Sequence, residues 1–364
     1  MTLALPATGP PGFMSAFRRK RGHTGMMWPT IVLFHDHCTS SQQNLRCYLP
    51  QVAMWASLTF ALSSTFPQYA WDSHIHVIEP DNFPLDPDRP YTPKAATRYN
   101  ASDFEVSRGI AHAVIVLPSV YGINNSILLD ALDYFKGTYR GVCVVDPGSV
   151  SNETLSLYHE KGVRGVRVNF GDDGTNDEIV EAVRKNAEVA RAQNWVLQLY
   201  IPLKAFVALH DVIPGLGVRV VTDHFGHAMV GSRTNNTADT VDPYQIEGFT
   251  EMVDLLRRRL LFVKISAPYL NSLKGPLYED MRVVAETIMV NGPEMVVYGS
   301  DWPHTANAEG NAVAGGRLVP QAYRSINDAA IVEEFKNWAT TDQQIQRLFV
   351  DNPRRLWQWN SVDS

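Results

Sequence analysis

Residues 71–77 of this 364-residue chain read WDSHIHV, a strand-like run with polar residues at every second position. Side chains alternate along a β-strand, so Asp72, His74 and His76 are expected on one face and the apolar side chains between them on the other. In a sheet covered by helices the apolar face packs against the helices, which turns the histidines inward. The motif therefore predicts a buried first strand whose histidines bind or act on a ligand.

Short runs rich in Val, Ile and Leu recur after this strand and alternate with longer segments of helical spacing. Near-continuous apolar runs are typical of parallel strands buried on both faces. Eight such units predict an α/β protein with a (β/α)8 TIM barrel. A doubly wound open sheet is the alternative, but no GxGxxG follows any of the runs. The predicted strands are 71–77, 111–117, 141–145, 165–170, 195–201, 219–224, 262–266 and 295–300. The predicted helices are 127–136, 153–161, 177–193, 203–212, 246–259, 276–291 and 321–338.

Composition excludes several classes of protein. Hydrophobic residues make up 45% of the chain, enough for a large core, and the formal net charge of -6 argues against nucleic-acid binding. The three cysteines form no CxxC pair and no disulfide framework. No stretch reaches the roughly 18 uninterrupted apolar residues of a membrane-spanning helix. We therefore expect a small-molecule substrate and neither a nucleic-acid nor a membrane partner, and the sequence is compatible with a homo-oligomer.

Residues 1–70 differ in composition from the rest of the chain. Proline and glycine come early, a basic run follows at 18–21, and short apolar bursts are broken by polar residues. The basic run lies far from the start and Pro29 interrupts the apolar segment after it, which is untypical of a signal peptide. We predict a poorly ordered extension before a barrel domain at 71–364, and a cytoplasmic rather than secreted protein. His35 and His37 are interpreted as a polar patch of this extension.

Polar residues gather where the predicted strands end, which is where the active sites of such barrels lie. Asp301 follows the last strand, beside the first, so it can reach the histidine pair and act as a general base or metal ligand. Arg167 faces inward and needs a partner for its charge. This partner is either a carboxylate or carbonyl group of the substrate, or an internal carboxylate, Asp72 or Asp146, in a salt bridge. The full set of candidates is His74, His76, Arg167, Asn169, Tyr200, His224, Ser266, Asp301 and His304.

The His-x-His of the first strand, His224 on the sixth and Asp301 after the eighth together resemble the amidohydrolase superfamily, in its amidohydrolase-related branch. The resemblance extends from Trp71 to the DNPRRL stretch at 351–356. The segments most similar to the 2-pyrone-4,6-dicarboxylate lactonases are 162–170, 221–227 and 298–304.

This resemblance implies catalytic roles for two groups: the three histidines, His74, His76 and His224, and Asp301. It also implies a substrate-binding arginine at Arg167 and a pocket tyrosine at Tyr200, whereas Asn169, Ser266 and His304 are candidate substrate contacts from their positions alone. Two arginines of the lactonases are missing, where this chain has GDDG at 171–174 and PYLN at 268–271. Since each arginine would pair with a carboxylate, we expect a substrate with fewer negative charges.

The residues leave open whether the protein uses a metal ion. Metal-using members of the superfamily add a lysine or glutamate on strand four or a histidine on strand five, where this chain has Asn169, Gln198 and Tyr200. His74, His76 and Asp301 plus a water molecule would suffice for one divalent ion such as Zn²⁺. The resemblance to the lactonases implies hydrolysis without a metal.

The sequence therefore predicts a hydrolase for a lactone or related cyclic ester of a small carboxylated or aromatic metabolite. Asp301 would activate water, and the histidines and Arg167 would stabilise the carbonyl. The alternative is a metal-dependent, non-oxidative decarboxylase of an aromatic or muconate-type acid, which resembles this chain at the His-x-His and the aspartate but uses a strand-five histidine. A barrel that only binds is disfavoured, because a dead site does not need buried, unpaired histidines.

Overall fold

The computed structural model describes residues 66–234 and 242–359. Most of the predicted extension, including His35 and His37, lies outside the described residues. Eight parallel strands pair in the order in which they occur along the chain, which confirms the predicted TIM barrel. These strands are β1 (Trp71–Ile75), β2 (His112–Val116), β3 (Arg140–Cys143), β4 (Val163–Asn169), β5 (Val196–Tyr200), β6 (Arg219–Thr222), β7 (Leu261–Ile265) and β8 (Val296–Tyr298).

Helices cover the barrel, and none that the structure describes is long and apolar enough to cross a membrane. Outside the barrel, Thr92–Pro93 pairs in parallel with Pro320–Gln321. The α-helices of the described residues are α1 (Arg98–Arg108), α2 (Ser126–Phe135), α3 (Asn152–Glu160), α4 (Asn176–Ala192), α5 (Phe206–Leu209), α6 (Phe249–Arg257), α7 (Pro268–Asn271), α8 (Arg282–Asn291), α9 (Asn311–Ala314), α10 (Asp328–Ala339), α11 (Asp342–Gln346) and α12 (Asn352–Leu356).

Helix α4 shows why most of the predicted helices form. Thr175 accepts a hydrogen bond from the backbone of Glu178, and the Glu178 side chain accepts from Thr175, so a capping box starts the helix. Its apolar residues recur at helical spacing and are buried against the barrel. The predicted helix over 203–212 is shorter than expected: a 3-10 turn at Leu203–Ala205 leads into the four-residue α5, and a second 3-10 turn follows at Ile213–Gly215.

The interior of the barrel is filled by a tryptophan from the end of the chain. The Trp357 indole Nε1 donates to Ser73 Oγ at 3.1 Å, and its ring lies 5.5 Å from Lys264 Nζ. A Cβ on Gly165 would lie 3.5 Å from the same ring. Trp357 therefore packs against residues of β1, β4 and β7.

Strand β1 does not alternate as the sequence pattern predicted. The register with β2 shifts between Asp72 and Ile75, so Asp72 does not lie with the histidines. Its Oδ1 accepts the backbone N–H groups of His74 and Ser300, both at 2.9 Å, which ties β1 to the end of β8. Its carboxyl also interacts with the buried Glu105 of α1. Burial raises the pKa of Asp72 to about 6 and that of Glu105 well above its usual range.

We expect Glu105→Gln to stabilise the protein at high pH. An unfolded glutamate loses its proton near pH 4.3, whereas the folded protein holds the proton of Glu105 to higher pH, so its contribution to stability falls as pH rises through this window. Glutamine mimics the protonated form. Urea unfolding at pH 8 should show the variant about 1–3 kcal/mol more stable than wild type, with the difference vanishing near pH 4.

The exposed Glu188→Gln of α4 serves as the control and should change stability little at either pH. A Glu105→Gln variant that is less stable than wild type at pH 8 would show that Glu105 is ionised and paired in the folded protein.

Candidate active site

The three predicted histidines converge on the predicted aspartate. Asp301 Oδ1 lies 3.5 Å from His74 Nε2, 3.4 Å from His76 Nε2 and 4.0 Å from His224 Nε2. All four side chains are buried. Burial alone would raise the pKa of Asp301, but the imidazoles of His224, His76 and His74 hold it below its ordinary value. Asp301 is therefore a carboxylate at neutral pH.

The backbone at the ends of β1 and β8 makes this convergence possible. A Cβ on Gly299 would lie 2.8 Å from His74 Cβ, so only glycine allows the two strands to approach this closely. The Asp301 N–H then donates to the His74 carbonyl at 2.8 Å. Asp301 has φ 63° and His304 also has φ 63°, a left-handed conformation that is strained for residues with a side chain.

Hydrogen bonds at Nδ1 orient two of the rings. His76 Nδ1 lies 2.8 Å from the Val116 carbonyl and must donate to it. His224 Nδ1 lies 2.8 Å from Ser266 Oγ, and Asn271 donates to the His224 carbonyl. Each Nε2 therefore faces Asp301, and Ser266 is engaged with His224. Burial lowers the pKa of His224 to about 4, so this ring is neutral at pH 7.

Lys264 of β7 orients the ring of His74. The sequence analysis gave Lys264 no role. Its Nζ lies 3.1 Å from His74 Nδ1, 2.8 Å from Gln198 Oε1 and 3.2 Å from Asp223 Oδ1. Burial lowers the pKa of Lys264 to about 8, against the opposing effect of Asp223, so the ammonium form predominates at neutral pH. An ammonium only donates; His74 Nδ1 therefore accepts, and the neutral ring carries its proton on Nε2, facing Asp301.

Arg167 is paired, but with a partner that the sequence analysis did not name. Its Nη2 and Nε lie 3.0 and 3.3 Å from Asp223 Oδ2, and Gln198 donates to the same oxygen at 3.0 Å. The predicted alternatives, Asp72 and Asp146, are wrong as partners. Burial would raise the pKa of Asp223, but Lys264, His74 and Arg167 hold it well below its usual range. The sequence does carry a signal for this cluster: Gln198, Asp223 and Lys264 are polar residues in or directly after strands that are otherwise largely apolar.

A second set of polar groups lies on the other oxygen of the aspartate. Tyr269 donates its hydroxyl hydrogen to Asp301 Oδ2 at 2.6 Å. His304 Nδ1 lies 3.3 Å from the same hydroxyl, and His304 Nε2 lies 3.1 Å from Asp328 Oδ2. Burial, with Asp301 beside it, raises the pKa of Tyr269 well above its ordinary value, so the hydroxyl stays protonated. The sequence analysis missed Tyr269, and the predicted substrate contact of His304 stays a prediction.

The remaining candidates lie at the ends of β4 and β5. Asn169 is exposed at the end of β4, next to Tyr200 on β5. The Tyr200 ring lies 5.1 Å from the guanidinium of Arg167, and its hydroxyl is 3.4 Å from His227 Nε2. His227 Nδ1 is in turn 3.2 Å from Asp172. The predicted substrate contacts of Asn169 and Tyr200 stay predictions.

The residues do not fit a three-ligand metal site in the arrangement described. Among the described residues, one group of possible ligand atoms, from His74, His224 and Asp301, lies within 4.8 Å of one another, with His224 in place of the predicted His76. A cation needs a lone pair, but the bond from Lys264 places the proton of His74 on Nε2. The Lys264 ammonium also lies 3.1 Å from this ring, where it repels a cation.

Comparison with known proteins identifies the family of this chain. The profile of the amidohydrolase family matches residues 71–359. A 2-pyrone-4,6-dicarboxylate hydrolase of Comamonas testosteroni is 30% identical over 305 residues, covering 80% of this chain and 90% of its own. A 4-sulfomuconolactone hydrolase of Hydrogenophaga intermedia is 27% identical over 298 residues, covering 81% and 91%.

Among solved structures, a Pseudomonas putida protein assigned as a 2-pyrone-4,6-dicarboxylic acid hydrolase has a TM-score of 0.62 at 27% identity, covering 80% of this chain and 98% of that one. The family profile spans the whole barrel, from β1 to the tryptophans that follow α12. The chain is therefore an enzyme of the amidohydrolase family, related to its lactone hydrolases.

Proposed function

We propose that the protein hydrolyses a lactone or related cyclic ester of a small carboxylated metabolite, with Asp301 as the general base. The observation that carries this proposal is the position of Asp301 Oδ1, a buried carboxylate oxygen within 4.0 Å of three imidazole Nε2 atoms. A water molecule beside this oxygen would have a proton acceptor in Asp301 and a hydrogen-bond donor in the Nε2–H of His74. Two relatives named as lactone hydrolases support the same reaction.

The proposed reaction has two steps. Asp301 takes a proton from water while the water oxygen attacks the lactone carbonyl, and the Nε2–H of His74 donates to the developing oxyanion. The ring C–O bond then breaks, and the proton on Asp301 passes to the leaving alkoxide. Lactone and water thus give a hydroxy acid. His76 and His224 orient the water through their Nε2 atoms, of which His76 Nε2 accepts a hydrogen from it.

The charges at the centre favour a substrate with few negative groups. The positive charges of Lys264 and Arg167 are matched by the negative charges of Asp223 and Asp301, all in buried positions. Arg167 uses Nε and Nη2 on Asp223, which leaves Nη1 as the nitrogen to contact a substrate carbonyl or a single carboxylate.

The decarboxylase alternative has less support. That branch uses a metal and a strand-five histidine, and β5 instead carries Gln198 and Tyr200, of which Gln198 is bonded to Lys264 and Asp223. A panel of lactones and aromatic acids assayed for both ring opening and CO₂ release separates the two reactions.

Asp301→Asn should lower kcat on a hydrolysed lactone by about 10²–10⁴-fold, because the amide cannot accept the proton from water. Asp172→Asn is the matched control, since it removes a carboxylate that pairs with His227 and leaves Asp301 in place; its kcat should stay within about twofold of wild type. Circular dichroism should show both variants folded. Wild-type turnover by Asp301→Asn would exclude Asp301 as the base.

Chelation should leave the lactone activity unchanged, because the proton on His74 Nε2 and the Lys264 ammonium disfavour a cation. Metal analysis of the purified protein should find zinc well below one atom per chain. Stoichiometric zinc together with chelator-sensitive CO₂ release would contradict the proposal and establish the decarboxylase instead.

A further inference from the structure

We propose that Tyr269, His304 and Asp328 form a positioning chain that fixes the Asp301 carboxylate and leaves Oδ1 as its reactive oxygen. This inference rests on the proposed function, in which Asp301 is the base. It assigns His304 a role through Tyr269 in place of the predicted substrate contact, and gives Tyr269 and Asp328 a role in the reaction.

The hydrogen bonds of this positioning chain give the two oxygens of Asp301 different roles. Oδ2 accepts the Tyr269 hydroxyl at 2.6 Å, whereas Oδ1 faces the imidazoles at 3.4 to 4.0 Å. The short bond to Tyr269 lowers the basicity of Oδ2 and occupies it. A proton from water is therefore directed to Oδ1, the oxygen that shares the pocket with His74 and His76.

Asp301 needs this support because nothing in its own backbone fixes the plane of its carboxylate. The terminal torsion of an aspartate is broad and roughly two-fold, so an unrestrained carboxylate samples many planes. Its backbone is also in a left-handed conformation, with φ 63°. Strained residues persist where surrounding contacts over-determine them. Tyr269, buried and extending from α7 after β7, provides such a contact from a neighbouring strand end.

His304 and Asp328 hold Tyr269 in turn. The Tyr269 oxygen has one hydrogen, which it donates to Asp301, so the bond at 3.3 Å is donated by His304 Nδ1; because Asp328 accepts from Nε2, both ring nitrogens of His304 carry a hydrogen in this arrangement. Asp328, in the first turn of α10, lies 3.1 Å from His304 Nε2 and 3.4 Å from Arg108. The positioning chain therefore extends from Asp301 to the helices α1 and α10, which hold its outer end.

Tyr269→Phe should lower kcat about 10- to 100-fold and change KM by less than about threefold, because it releases the carboxylate and leaves substrate contacts intact. Tyr139→Phe is the matched control: it also removes one buried tyrosine hydroxyl, before the start of β3 and so at the other end of the strands, where its ring stacks on Phe135 at 3.8 Å. Its kcat and KM should equal those of wild type.

A double-mutant cycle tests whether Tyr269 acts through Asp301. In the Asp301→Asn background, adding Tyr269→Phe should lower kcat by less than about twofold, since the base is already gone. His304→Asn keeps a side-chain N–H near the position of Nδ1 and should retain more of the wild-type kcat than His304→Ala.

Three results would overturn the inference: a wild-type kcat for Tyr269→Phe, an equal loss from this change with and without Asp301, or equal losses in the two His304 variants. Each leaves the proposed function standing as long as Asp301→Asn alone has lost its activity. If Asp301→Asn keeps wild-type turnover, the proposed function itself fails. The His304 pair keeps the inference testable if Tyr269→Phe does not fold.

Discussion

The close approach of the first and last strands is the constraint on which the site depends. Gly299 lets β8 lie against His74, and the Asp301 N–H bonds to the His74 carbonyl at 2.8 Å. Asp72 completes the junction by accepting the N–H groups of His74 and Ser300. A side chain at Gly299 would push the strands apart and move the carboxylate away from the imidazoles. Closing the barrel and assembling the candidate active site are therefore the same event.

Charge balance inside the barrel explains why so many ionisable groups can be buried together. An isolated buried charge costs several kcal/mol, but Lys264 and Arg167 lie against Asp223, and Asp301 is surrounded by imidazole and hydroxyl groups. The same arrangement determines the chemistry, because it sets which nitrogen of His74 carries the proton. Left-handed residues at the ends of β6, β7 and β8 add strain at this rim. Such strain is common at functional sites and is supported by the rest of the fold.

Much of the fold, but less of the site, could be predicted from the sequence. Apolar periodicity located all eight strands, and strand-end positions brought His74 and Asp301 together, because both depend only on local pattern and the barrel rule. Helix α1 was missed, since Ala101 and Glu105 are its buried residues and it has no apolar stripe to detect. The roles of Lys264 and Tyr269 depend on contacts between distant strands and on a register shift in β1. The spacing of residues within one segment predicts neither the contacts nor the shift.

Activation of water by Asp301, rather than attack by the Asp301 carboxylate itself, is the central claim. The most direct measurement is a single turnover in H₂¹⁸O with enzyme in excess over a lactone that the protein opens. General-base hydrolysis predicts one ¹⁸O in the new carboxylate in the first turnover and none in the new hydroxyl group. An unlabelled first-turnover product would show that an oxygen of the enzyme attacked the carbonyl. Label in the hydroxyl group would show that the other C–O bond was broken, and either result would contradict the account.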